Sequence, residues 1–88
     1  MDPAIAFGHV LRTLRKKAKL SKEQLSFEAE IERNFVSLIE RGVNQPTIRV
    51  IFKLASALGT SPSTMLSLVE EALRTAANAE PESDKSRS

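Results

Sequence analysis

Residues 21–42 constrain this chain more than any other segment, because they spell two short helices with a start, a turn and a stop and little room between them. Ser21-Lys22-Glu23-Gln24 has the form of a capping box, in which the Ser21 hydroxyl accepts from the Gln24 amide while the Gln24 side chain reaches back to Ser21. The helix opened there runs through Leu25 and Ala29 and is short, since Ile31 and Glu32 already lead into another periodic segment. That segment, Glu32 to Arg41, divides at about 100° per residue into two faces. Glu32, Phe35, Val36 and Ile39 fall on one side; Arg33, Asn34, Ser37, Leu38 and Arg41 fall on the other. The first face packs and the second is offered outward. Gly42 can take the left-handed conformation that ends a helix.

The same reading extends to both sides. Phe7, Leu11, Leu14 and Ala18, with Val10 beside them, line one stripe of a helix over about residues 5 to 18. After a Val43-Asn44-Gln45-Pro46 loop, Thr47 caps a fourth helix whose Ile48, Ile51, Leu54, Ala55 and Leu58 form a core stripe ending at Gly59. Ser61-Pro62 opens a fifth, an N-cap hydroxyl followed by a proline where the missing donor costs nothing. Its apolar band, Met65, Leu66, Leu68, Val69, Ala72, Leu73 and Ala76, is wider than one core contact needs and suggests a partner surface. There is no strand pattern and no repeat. The expectation is an all-α fold of five helices in one domain, residues 1–77, followed by a disordered tail over 78–88, which has no large apolar residue.

Charge and composition narrow what such a domain does. With 88 residues, 41 % of them hydrophobic, the chain can build one core and has no room for a second catalytic or sensor domain. It has no cysteine, which excludes disulfides, thiolate metal sites and cysteine nucleophiles, and suits a reducing cytoplasm. No apolar run approaches the roughly 20 residues that span a bilayer, and the first residues lack the form of a signal peptide. The net charge of +2 hides an asymmetry: residues 1–53 carry net +4 and residues 54–88 net −2. Arg12, Arg15, Lys16, Lys17, Lys19 and Lys22 follow one another with no acid among them. Such a stretch is either a solvated helix face or a patch that attracts phosphate.

Two short helices joined by a tight turn, the second presenting Arg, Asn and Ser outward, describe a helix-turn-helix over Lys22 to Arg41. The residues resemble the Cro/CI-type, or XRE, helix-turn-helix family over roughly residues 7 to 69. The matching words are Phe7-Gly8, Leu11-Arg12, Leu14-Arg15-Lys16, Leu20-Ser21-Lys22-Glu23-Gln24-Leu25, Ser37-Leu38-Ile39-Glu40-Arg41-Gly42, Pro46-Thr47, Leu54-Ala55, Ala57-Leu58-Gly59 and Ser61-Pro62. Each is weak alone, and their order and spacing make the signal. The resemblance implies a compact five-helix, lambda-repressor-like fold, with the second and third helices as the reading unit. It also implies an ion pair between Arg15 and Glu40 that pins the third helix against the first. Three positions depart from the family: Glu30 and Lys19 replace common glycines, and Phe35 stands where many relatives have a tyrosine able to touch phosphate. Keeping the turn would place Glu30 in a left-handed conformation, at a cost of roughly 1 kcal/mol.

On this reading the chain is a sequence-specific regulator of transcription that binds double-stranded DNA as a homodimer, expected to be a repressor acting on an inverted-repeat operator. The base-reading candidates are Arg33, Asn34, Ser37 and Leu38. Arg33 either makes two bonds to guanine N7 and O6 or holds a phosphate; Asn34 pairs with adenine or holds a phosphate. Ser37 permits close approach, and Leu38 is either a thymine-methyl contact or an ordinary exposed leucine. Phosphate candidates are Lys22, Arg41, Asn44, Thr47 and Arg49, the last two opening the fourth helix, where free backbone donors favour an anion. The dimer interface is expected on the fifth helix at Met65, Leu68, Val69 and Leu73. No catalytic residue, metal site, cofactor or small-molecule ligand is expected, the only histidine, His9, having no cysteine or carboxylate cluster about it. The rival reading is an antitoxin or protein-interaction module in which DNA binding is secondary.

Overall fold

The computed structural model describes residues 1–78. Asp2 opens its first helix: the carboxylate accepts from the Ala4 amide at 2.8 Å and Pro3 occupies the first turn. α1 therefore runs Pro3–Lys17, two residues earlier than periodicity alone suggests. Ala18, expected on the apolar stripe, is instead the exposed residue that closes α1. α2 (Lys22–Ala29) starts on the capping box, with Ser21 Oγ 3.0 Å from the Gln24 amide and Gln24 Oε1 2.8 Å from the Ser21 amide. α3 is Arg33–Glu40, α4 Ile48–Leu58 and α5 Pro62–Asn78. Among the described residues there is no strand. The expected tail lies outside the described residues, apart from Asn78, which ends α5.

Both glycine replacements are left-handed, Lys19 at φ 61° and Glu30 at φ 58°. Each turns the chain back at a helix end, so that the next amide bonds to the last turn, Leu20 to the Arg15 carbonyl at 3.1 Å and Ile31 to the Ser26 carbonyl at 3.0 Å. Both turns use a backbone conformation that glycine adopts without strain, here on residues that carry side chains. α1 lies against α5 and α3, while α2 lies against α3 and α4. The α1–α3 approach is close at Gly8, where an added Cβ would stand 2.5 Å from the Ile39 carbonyl oxygen and 2.6 Å from that of Glu40. Backbone would meet side chain there, so only glycine lets α3 sit this near α1.

The core gathers Phe7, Leu11, Leu25, Val36, Ile39, Leu54, Met65 and Val69 from all five helices. Three expectations change with it. Met65 is fully buried and Val69 nearly so, at 0 % and 7 % exposure, because α5 lies along α1 and completes the core. Met65 offers no surface to a second copy and Val69 almost none, so these two side chains are core residues and not the dimer interface expected of them. Ile48, expected in the α4 core stripe, is 73 % exposed, and Ile51 and Leu58 are half-buried. Glu32, assigned to the packing face of α3, is the exposed residue before its first turn and makes no side-chain cap bond. No helix of the described residues is long and apolar enough to cross a membrane.

Candidate nucleic-acid interface

Two devices fix the outer face of α3. From below, Val36 and Ile39 are fully buried against the core. At the C-terminal end, Glu40 receives two bonds from the Arg15 guanidinium, Nε to Oε2 at 2.6 Å and Nη2 to Oε1 at 3.1 Å. The third guanidinium nitrogen of Arg15, Nη1, donates to the Leu20 carbonyl at 2.9 Å. The pair is almost dry, with side-chain exposures of 9 % and 4 %. Charges taken this far from water persist only when their bonding capacity is met. No buried side-chain polar atom among the described residues lacks a partner.

With α3 so held, Arg33 and Asn34 are exposed in its first turn and Ser37 is half-buried one turn on. Leu38 is also half-buried rather than exposed, which leaves its edge, not its whole side chain, for a contact. Phe35 is half-buried against the core. The first turns of α2 and α3 face one another across a shallow depression lined by Ser21, Lys22, Glu23, Arg33, Asn34 and Ser37. Lys22, at the first position of α2, and Asn34 and Arg33, at the start of α3, thus share one surface although sequence separates them. Glu23 joins them: its Oε1 lies 3.9 Å from Arg33 Nη1. Nothing in the local sequence marks Glu23, because the approach is across the turn.

The remaining phosphate candidates follow α3 in the chain. Arg41 closes α3 and is exposed, Asn44 is half-buried in the loop, and Arg49 is exposed in the first turn of α4. The Thr47 hydroxyl already accepts from the Val50 amide at 3.2 Å. Its own proton stays free to donate outward. Lys16, Lys17 and Lys19 are exposed at the end of α1. Among the described residues no group of three His, Asp or Glu side chains has the arrangement of a metal site. On α5, Leu68 and Leu73 are half-buried, while larger apolar exposure lies at Ile48, at Phe52 with 59 %, and at Leu66 with 45 %.

Comparison with known proteins places these features in a family. The helix-turn-helix family HTH_3 matches residues 11–65. The control protein C.BamHI of Bacillus amyloliquefaciens is 36 % identical over 63 residues, 70 % of this chain and 78 % of that protein. The crystal structure of the restriction-modification controller protein C.AhdI from Aeromonas hydrophila is 37 % identical, with TM-score 0.69 over 70 % of this chain and 94 % of that one. The controller protein C.Esp1396I, solved as a tetramer on its natural 35-base-pair operator, shares the fold at TM-score 0.74 and 18 % identity, over 82 % of this chain and 95 % of that one.

Proposed function

The chain belongs to the HTH_3 helix-turn-helix family, and on that premise we propose that it is a DNA-binding transcriptional regulator that reads an inverted-repeat operator as a homodimer through α3. One observation carries the reading. The Arg15–Glu40 pair and the buried Val36 and Ile39 hold α3 so that Arg33, Asn34 and Ser37 stand on a rigid helix beside Lys22. A helix that enters a major groove needs its base-reading side chains at its start and its backbone contacts to either side. Arg33, Asn34, Ser37 and the edge of Leu38 then read bases. Lys22, Arg41, Asn44, Thr47 and Arg49 clamp phosphates and set the register.

A second copy needs an apolar face that the protomer leaves open. Ile48 and Phe52, one turn apart on α4, supply more of it than Leu68 and Leu73. Ile48 stands between Thr47 and Arg49, so an interface there brings the phosphate clamps of both copies beside the two-fold axis. Selection from random duplexes tests the function directly. The expected product is an inverted repeat with half-sites about 10 base pairs apart. Recovery of no preferred sequence would overturn the reading.

A protein-interaction role keeps one specific support: Phe27 on α2 is 81 % exposed beside the exposed carboxylates Glu23 and Glu28. Titration with mixed duplex DNA separates the two. Absence of salt-dependent binding at low ionic strength would favour the protein partner.

A further inference from the structure

We propose that Glu23 is a specificity-determining residue that withholds Arg33 from phosphate and leaves it to guanine; the proposal rests on the reading of α3 given above. The Glu23 carboxylate stands 3.9 Å from the Arg33 guanidinium, and the two line the depression that also holds Lys22, Asn34 and Ser37. An acid on a surface otherwise built to meet a polyanion needs an account. Helix starting supplies part of it, since Glu23 lies in the first turn of α2, where the helix dipole favours an acid, although the capping box itself is closed by Gln24; that dipole would be served as well by an acid that did not approach Arg33. The ion pair adds little stability of its own, because the side chains are 69 % and 77 % exposed and an ion pair in water is weak.

The two partners open to Arg33 differ in charge. A phosphate brought to the guanidinium carries a full negative charge into the neighbourhood of Glu23, well inside the roughly 10 Å over which salt leaves charges coupled. Guanine presents N7 and O6, which are acceptors without net charge, and takes two bonds at once. Glu23 therefore opposes the phosphate contact more than the base contact. The pair with Arg33 is weak enough for guanine to break, and it engages the guanidinium while no guanine is present. Discrimination here comes from penalising the wrong partner rather than from binding the right one more tightly.

The test compares Glu23→Gln with Glu70→Gln, which removes the same charge from an exposed position on α5. Affinities for the selected operator and for a mixed-sequence duplex are measured over a range of salt concentrations. Glu23→Gln should tighten binding to the mixed duplex more than to the operator, lowering their ratio by roughly threefold or more. Its salt dependence on the mixed duplex should steepen by about one phosphate contact, close to 0.9 in slope. Glu70→Gln should move both affinities together and leave the ratio intact. A ratio that Glu23→Gln leaves unchanged overturns the proposal alone, and Glu23→Ala must show the same loss of discrimination. A wild-type chain with no operator preference overturns it together with the reading of α3.

Discussion

Arg15 and Glu40, 25 residues apart in sequence, meet as a two-point ion pair with Nε 2.6 Å from Oε2 and Nη2 3.1 Å from Oε1. The pair ties the end of α1 to the end of α3. It does so in nearly dry surroundings, where removing one partner strands the other. Glu40→Ala should therefore cost about 3–5 kcal/mol, far more than loss of an exposed pair. Urea unfolding would measure it, and a cost below about 1 kcal/mol would show that the pair is not holding α3.

Lys19 and Glu30 carry left-handed backbone that glycine takes without strain. The left-handed conformation costs a residue with a side chain about 1–2 kcal/mol, and glycine gives back part of that through the freedom of its unfolded chain. Lys19→Gly and Glu30→Gly should each stabilise by about 0.5–1 kcal/mol. The shift would be read as a higher melting temperature. A fall in both variants would mean that the two turns are stabilised by side-chain contacts instead.

The dimer face proposed on α4 makes a contrast between two apolar residues. Ile48→Glu replaces an exposed side chain, so the variant should fold, sediment as a monomer and bind the operator weakly. Met65→Glu places a charge in the core and should fail to fold. Sedimentation at micromolar concentration decides the first. Dimers persisting in Ile48→Glu would return the interface to the half-buried Leu68 and Leu73 on α5.

Reading and clamping leave different signatures in binding data. Arg33→Ala should cost about 1–3 kcal/mol per half-site and flatten the preference at one symmetric base position. Lys22→Ala and Arg49→Ala should weaken binding to every sequence alike and make the salt dependence shallower, by about one unit of slope for each phosphate no longer held. Selection repeated with the Arg33→Ala chain separates them. An unchanged base preference would pass the reading role to Asn34, Ser37 and Leu38.

The starts of α2, α4 and α5 and the outward placement of Arg33 and Asn34 were determined by the sequence itself. Ser21 with Gln24, Thr47, Ser61 before Pro62, Gly42 and Gly59 act through hydrogen bonds and backbone angles that involve residues only a few positions away. Local chemistry of that kind is complete within one segment, so it can be read from the segment. The order and spacing of short motifs likewise carried the family. Which apolar residues are hidden was decided by the tertiary structure. A helical period says that Ile48 and Met65 each lie on an apolar stripe; it does not say how far the neighbouring helices extend over that stripe. α1 covers the band of α5 and buries Met65, while the outer edge of α4 is left open at Ile48. The approach of Glu23 to Arg33 belongs to the same class, since it arises from how two helices cross and not from anything either helix spells on its own. Burial and through-space charge depend on distances between segments, and only packing sets those distances.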